Sequence, residues 1–172
     1  MADEKLLFQA LSDFARTLVL RYAVADVLVS LTEHVSDVLG VAGAGVSLGD
    51  QDGLLHFVSA SSETITEIER VQELAQRGAC VDAYKSGVVA QSSDLTAETR
   101  WPELAPDAVR LGLRSIVAIP MRLTDQTIGS LNIYDARPRE WLPDDIQAAQ
   151  VLADMAVSYI SNASALERAE RV

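Results

Sequence analysis

The sequence is poor in cysteine and histidine, and it lacks any long apolar run. Its only cysteine, Cys80, has no partner for an internal disulfide. The longest apolar runs, such as residues 116–121, fall far short of the roughly 20 apolar residues that cross a bilayer. The first five residues lack the basic start of a secretory signal. These absences predict a cytoplasmic protein without a membrane-spanning segment.

Basic residues are also scarce. The 14 Lys and Arg residues face 25 Asp and Glu residues, which gives a formal net charge of -11. A charge of this sign repels phosphate backbones and anionic lipid headgroups. We therefore expect this chain to bind neither nucleic acid nor a membrane directly.

Residue patterns for catalysis or metal binding are missing as well. His34 and His56 fall in different predicted elements, and neither has a second histidine or a cysteine at metal-ligand spacing. The sequence has no glycine-rich phosphate loop and no spaced pair of carboxylates on an active-site loop, and the serine pairs at 61–62 and 92–93 have no histidine near in sequence. We therefore expect no metal site, no catalytic residues and no enzyme activity.

What the sequence does contain is regular hydrophobic periodicity over a length suited to one domain. Apolar residues at three- and four-residue steps predict amphipathic helices at 4–20 and 24–39, the second ending at Gly40. Pro143 suits the first position of a final helix that reaches about residue 168, roughly 39 Å long. Further helices are predicted at 63–76, 81–85 and 106–111. The helix at 63–76 is predicted to bury Ile65, Ile68, Val71, Leu74 and Ala75.

Alternating residues predict strands between these helices. Residues 44–48 and 54–60 form one predicted hairpin across a turn at 50–53, and 88–91 form a brief strand. The strongest strands, 114–122 and 127–134, are predicted to form the central hairpin of the sheet. The fold class is therefore α/β of the α+β type.

Several motifs in this order resemble one branch of a known family. They are GACVDAYKSG at 78–87, Asp94-Leu95 followed by Arg100-Trp101-Pro102, GLRSIVAIPM at 112–121, and IGSLNIY at 128–134. The chain is similar over about residues 20–165 to the GAF domains that are joined to ANTAR RNA-binding modules in actinobacterial transcription regulators. No ANTAR module follows in the printed sequence, so an RNA antitermination role would need further sequence.

The resemblance implies a GAF/PAS-like central antiparallel sheet. Terminal helices are expected on one face, and helices and loops at 60–112 are expected to form the lid of a ligand pocket on the other. The implied organisation is an N-terminal dimerisation helix at 1–22, a GAF domain at 23–165, and the end of a signalling helix at 166–172. The Asn-Lys-Phe-Asp-Glu signature of cyclic-nucleotide GAF domains is absent, as is the cysteine-histidine pair that attaches bilins.

The pocket is expected where residues 128, 130, 132 and 134 share one face of a strand, opposite the apolar face of 129, 131 and 133. By resemblance, the candidate pocket residues are Cys80, Tyr84, Asp94, Trp101, Ser130 and Asn132. The implied function is a regulatory domain that binds a small ligand and transmits a signal through its terminal helices. No cofactor is specified by the sequence.

Alternatives to a ligand-binding domain remain open. We expect a homodimer in which Leu7, Leu11, Phe14 and Leu18 meet Tyr159, Ile160 and Leu166 or their own copies. The alternative is that the domain serves only as a dimerisation module without a ligand. A redox sensor would use Cys80, and a haem sensor would use His56 as an axial ligand. Reduction of free methionine sulfoxide, an activity known on the GAF fold, uses several cysteines, and this chain has one.

Overall fold

The computed structural model describes residues 2–17 and 24–170, with the side chains of 14–17 and 163–170 outside the description. The helices are α1 Glu4–Thr17, α2 Val24–Leu39, α3 Glu63–Ala75, α4 Ala79–Ser86, α5 Ala105–Arg110 and α6 Pro143–Glu170, with a 3₁₀ turn at Leu95–Ala97. The strands are β1 Gly43–Gly49, β2 Leu55–Ala60, β3 Ala90–Ser92, β4 Ser115–Leu123 and β5 Gln126–Asp135.

The five strands form one antiparallel sheet in the order β2-β1-β5-β4-β3. The predicted hairpins are confirmed, and the second hairpin lies at the centre of the sheet. In β5, Asn132 pairs with Gly45 of β1 and Ala118 of β4. This register places Asn132 in the middle of the sheet, away from both edges.

The terminal helices cover one face of the sheet, as the resemblance implies. Leu131 and Ile133 of β5 pack there against α2 and α6 in one apolar core. Gly40 adopts a positive φ of 63° immediately after α2, which confirms the predicted end of that helix.

The second face is covered by the segment between β2 and β4, which we call the lid (residues 61–114). Its buried apolar residues pack against Ile116, Ala118 and Tyr134 of the central strands and form a second core. They are Ile65, Ile68, Ala79, Ala83, Leu95, Trp101, Leu104, Ala105, Ala108 and Leu113. The sheet thus separates a terminal-helix core from a lid core.

The apolar stripes of the terminal helices pack largely within the chain. Leu7 and Leu11 of α1 contact the terminal-helix core, and Ala10 between them is fully buried. Apolar residues on two sides of α6 enter that same core, with Leu152 and Ala153 at 0% exposure and Tyr159 at 6%. Leu18 and the side chains of Phe14 and Leu166 lie outside the described residues. Over the sheet, α6 therefore presents one wide buried face.

The prediction for the buried face of α3 is partly wrong. Leu74 is 90% exposed, whereas Glu69 and Gln72 are buried beside Ile65 and Ile68. At 100° per residue, positions 65, 68, 69 and 72 share one face, and position 74 lies opposite position 65. The apolar stripe was therefore extended onto the wrong side of the helix.

Within residues 2–17 and 24–170, no helix is both long enough and apolar enough to cross a membrane.

Candidate functional site

Four polar side chains lie buried between the lid and the centre of the sheet. We call Glu69 and Gln72 of α3 with Asn132 and Tyr134 of β5 the Glu69 cluster. None of the four is more than 1% exposed. Asn132 Nδ2 donates to Glu69 Oε1 at 2.8 Å, and Tyr134 Oη donates to Glu69 Oε2 at 2.9 Å. Gln72 Nε2 donates to Tyr134 Oη at 2.7 Å, which closes the network.

Local sequence explains why these groups meet. Glu69 and Gln72 are three residues apart on a helix, so their side chains project from neighbouring turns of one face. Asn132 and Tyr134 are two apart on a strand, so both point to the lid. Gly45 of β1 leaves the space that the Glu69 carboxylate occupies, because a Cβ at this position would collide with it. A helix, a strand and one glycine together define the site.

Burial dominates the protonation of Glu69. Loss of solvation raises the pKa of its carboxyl to about 7, although the hydrogen bonds from Asn132 and Tyr134 act to lower it. The nearby charge of Glu73 raises it further. Burial also raises the pKa of the Tyr134 hydroxyl well above its ordinary value, so this group remains protonated. Glu69 therefore changes charge near neutral pH inside the protein.

Two of the six residues predicted for the pocket belong to this region. Asn132 is a member of the cluster, and Ser130 Oγ donates to Asn132 Oδ1 at 2.6 Å. Ser130 is also fully buried. Both therefore lie under the lid.

Cys80 adjoins the cluster from α4. Its backbone N–H donates to Gln72 Oε1 at 3.2 Å, and its side chain packs against Leu55 and Val81. Burial raises the pKa of the thiol well above its ordinary value, and the negative charge of Glu69 adds to this shift. Cys80 is the second residue of α4, where a helix start favours a lower thiol pKa, but the loss of solvation is the larger effect.

The remaining three predicted residues have separate environments. Trp101 is 2% exposed, and its Nε1 donates to Asp82 Oδ2 at 2.7 Å. Asp94 begins the 3₁₀ turn by accepting from the Thr96 backbone N–H at 3.1 Å, and its carboxylate pairs with Arg114 at 3.2 Å. The pKa of the Asp94 carboxyl is lowered, first by a hydrogen bond from the Thr96 hydroxyl and then by those from the Thr96 backbone N–H and Arg114. The structure therefore does not bring all six residues together.

Tyr84 lies at the margin of an open groove. The groove has a volume of about 650 Å³ and lies between the end of α4 and the turn that joins β4 to β5. Its charged lining residues include Lys85, Arg122 and Asp125. Tyr84 also packs against the small apolar cluster around Cys80, so it lies between the lid interior and the surface.

His56 lies outside the lid interior. Its ring is half exposed, and Nε2 lies 2.6 Å from Asp50 Oδ2. Across residues 2–17 and 24–170, no group of three His, Cys, Asp or Glu side chains is arranged to hold a metal ion.

Sequence reasoning missed Glu69 and Gln72. The available signal was a carboxylate and an amide in the i, i+3, i+4, i+7 row that begins with Ile65 and Ile68. Tyr134 was placed on the correct strand face but was left out of the candidate set. A buried polar residue in an apolar row is more informative than another apolar residue in that row.

Comparison with known proteins agrees with this architecture. The family model of the GAF domain matches residues 24–160. The match covers most of the sequence, and the chain therefore belongs to the GAF domain family. A search of curated proteins finds no match.

Solved structures share the fold at low sequence identity. A domain of a two-component sensor histidine kinase from Sinorhizobium meliloti 1021 is 20% identical, with a TM-score of 0.72 over 88% of this chain and 99% of that one. The PixJ GAF domain of Thermosynechococcus elongatus in its blue-light-absorbing form is 19% identical, with a TM-score of 0.67 over 86% and 90%. The free methionine-R-sulfoxide reductase of Neisseria meningitidis, in complex with its substrate, is 14% identical, with a TM-score of 0.73 over 96% of both chains. At these identities the likeness shows the fold alone.

Proposed function

We propose that this GAF domain is a sensory domain that binds a small polar ligand under the lid, beside the Glu69 cluster. The observation that carries the proposal is the burial of a carboxylate, two amides and a phenol on the lid face of the sheet. Burial of polar groups is unfavourable unless they are hydrogen-bonded, and an apolar lining would fill the same space without that penalty. A few placed polar groups in an otherwise apolar interior are typical of a ligand site.

The cluster also indicates the chemistry of the ligand. The side chains that donate to Glu69 are those of Asn132, Tyr134 and Gln72, all of which are neutral. A carboxylate with a pKa near 7 in such surroundings is stabilised by an added cation or by strong N–H donors. We therefore propose a small ligand that carries a protonated amine, an amidine or a similar nitrogen group.

The route of the signal follows from the alternation along β5. Asn132 and Tyr134 point to the lid, whereas Leu131 and Ile133 point to α2 and α6. A ligand that shifts β5 changes packing on both faces, because all four residues share one strand. The terminal helices are the proposed output, and a domain of a sensor histidine kinase protein shares this fold.

Thermal unfolding with a defined panel tests the proposal. The panel contains free amino acids, polyamines and guanidino compounds, with acetylated or carboxylate analogues as controls. A nitrogen-bearing compound at 100 times its Kd should raise the midpoint by about 5–10 °C. The rise should persist in Glu67→Gln, which changes an exposed carboxylate on the same helix, and should disappear in Glu69→Gln. An equal rise in Glu69→Gln would contradict the proposed site.

A dimerisation module without a ligand is the second candidate. It is favoured by the exposure of Phe8, 68% exposed on α1, and by the length of α6, 28 residues. Light scattering distinguishes the two functions: Phe8→Asp should convert a dimer to a monomer, while Val88→Asp, at a 65% exposed position outside the terminal helices, should not. Circular dichroism checks that both variants keep their secondary structure. A monomer at about 100 μM before any substitution would contradict this candidate.

Catalysis is not part of the proposal. Cys80 is buried with a raised pKa, and the sequence has no second thiol to resolve an oxidised intermediate. A turnover assay with free methionine sulfoxide and a dithiol reductant should give the uncatalysed rate, both before and after Cys80→Ser. Turnover that depends on Cys80 would contradict a purely sensory role.

His56 is half exposed beside Asp50, so a haem sensor is not proposed.

Cytoplasmic location and a role in transcription regulation stay predictions. The finer likeness to the GAF domains of GAF–ANTAR regulators also stays a prediction, and it rests on the motifs within 78–134.

A further inference from the structure

One partly buried arginine links the end of the sheet to the last helix. The Arg139 guanidinium lies 3.3 Å from Asp135 Oδ2 and 3.1 Å from Asp145 Oδ2. Asp135 ends β5, and Asp145 lies in the first turn of α6. The three side chains are 13%, 5% and 1% exposed, respectively. Arg139 therefore links β5, which carries Asn132 and Tyr134 of the Glu69 cluster, to the start of the proposed output helix.

The same side chain contacts the terminal-helix layer. Its Nη1 lies 3.4 Å from the carbonyl oxygen of Leu39, the last residue of α2. Its guanidinium lies 4.8 Å from the ring centre of Trp141, which is buried in the terminal-helix core. Arg139 thus contacts both helices that cover the far face of the sheet, α2 directly and α6 through Asp145.

The lid reaches this junction through the backbone. The Arg139 N–H donates to the Ser93 carbonyl at 2.9 Å, and the Leu95 N–H donates to the Arg114 carbonyl at 2.7 Å. The Arg114 N–H donates in turn to the Asp135 carbonyl at 2.9 Å. Ser93 is therefore hydrogen-bonded directly to the connection, and Leu95 reaches the end of β5 through Arg114.

An open cavity of about 410 Å³ lies beside this junction, between the lid and the connection. Its lining includes Ser93, Asp94 and Arg100 from the lid and Glu140 and Trp141 from the connection. Ser93 and Asp94 therefore border open space on this side of the lid, whereas Leu95 packs in the lid core.

From these contacts we propose that Arg139 is the positioning residue through which a displacement of the lid changes the first turn of α6. This inference deepens the proposed sensory function, on which its biological meaning rests. Its test needs no ligand, because a substitution in the lid supplies the displacement.

The test is a double-mutant cycle read by amide hydrogen exchange of the intact chain. Leu95→Ala removes a buried lid side chain that does not belong to the terminal-helix core. With Arg139 present, it should speed the exchange of the amides at 146–150 by between about 2-fold and 30-fold relative to the α2 amides at 28–32. The α2 amides report any general loss of stability. In Arg139→Gln, exchange at 146–150 should be fast already, and Leu95→Ala should change it by less than about 2-fold.

A matched control is available two residues away. Arg137 also lies 3.3 Å from Asp135, but its side chain is 74% exposed, so Arg137→Gln should keep the full response to Leu95→Ala. Arg139→Lys keeps the charge without the planar fork that reaches both carboxylates, and it should reduce the response. If circular dichroism shows that Arg139→Gln does not fold, the response of Arg139→Lys to Leu95→Ala tests the proposal.

Two results would overturn the proposal. One is an unchanged ratio of exchange between 146–150 and 28–32 after Leu95→Ala with Arg139 present. The other is the same response in the Arg139 variants as in the unsubstituted chain. The two proposals fail separately. If no compound of the thermal-unfolding panel stabilises the protein but the cycle shows coupling, ligand binding is contradicted and the role of Arg139 is supported.

Discussion

Neutralising Glu69 should change how the stability of this domain depends on pH. The carboxyl has an unfolded pKa of 4.5 and a folded pKa of about 7. Between these values the folded state holds a proton that the unfolded state has lost, so stability falls as pH rises. The contribution of the protonated carboxyl is therefore present in full below about pH 4.5 and is lost as pH rises through about 7.

The size of the effect follows from the shift. At about 1.4 kcal/mol per pKa unit, a shift from 4.5 to about 7 corresponds to about 3 kcal/mol. No reduction for solvent screening applies, because Glu69 is only 1% exposed. Most of the loss falls between pH 5 and 7. Glu69→Gln keeps the shape of the protonated side chain and does not titrate.

Urea unfolding from pH 5 to pH 8 measures this prediction. The free energy of unfolding of the unsubstituted chain minus that of Glu69→Gln should fall by about 2–3 kcal/mol over this range. The difference between the unsubstituted chain and Glu67→Gln should stay nearly constant, because Glu67 is exposed on the same helix. Parallel pH profiles for the unsubstituted chain and Glu69→Gln would refute the buried-carboxylate reasoning.

Three further predictions concern the packing around the cluster. Gly45→Ala should destabilise the fold by about 1–3 kcal/mol in urea unfolding, because its Cβ collides with the Glu69 carboxylate; an equal loss in a Glu69→Ala background would contradict this cause. Cys80 should react with a thiol reagent far more slowly in the folded protein than in urea, and equal rates would contradict its burial. Residues 92–105 should exchange their amide hydrogens faster than residues 114–134, because they are mainly turns beside a continuous hairpin, and equal protection would contradict the assignment of 92–105 to the lid.

Local pattern predicts much of this fold. The bounds of α2 were predicted at 24–39, and Gly40 ends it because a positive φ suits glycine. The predicted hairpins were confirmed because alternation and turn residues are local signals. The pairing of β1 with β5 could not be predicted from local pattern, because it joins strands about 85 residues apart in sequence and depends on the whole sheet.

The candidate site was predicted only in part. Ser130 and Asn132 were found because a strand alternates strictly between two faces. Glu69 was missed because a charged residue is assigned to solvent by default, and its partners come from a strand more than 60 residues away. Asp94 was grouped with the pocket by resemblance, whereas the structure uses its carboxylate to begin a 3₁₀ turn and to pair with Arg114.

The assignment of Arg139 depends even more on the complete structure. Asp135 and Asp145 lie four and six residues from it, so their pairing with Arg139 is suggested by sequence. Its contacts with Ser93 and Leu39 join elements that lie 46 and 100 residues away, and no local pattern predicts them. Residues that connect layers are identified by their partners in space.

Native mass spectrometry tests the central claim, a small nitrogen-bearing ligand beside Glu69, most directly. Purified protein is incubated with the small-molecule fraction of a cell extract, separated from unbound compounds, and weighed under native and denaturing conditions. We predict that the unsubstituted chain and Glu67→Gln retain one small molecule that is released on denaturation, and that Glu69→Gln retains none. The bare chain mass in all three proteins, or the same adduct in Glu69→Gln, would contradict the account.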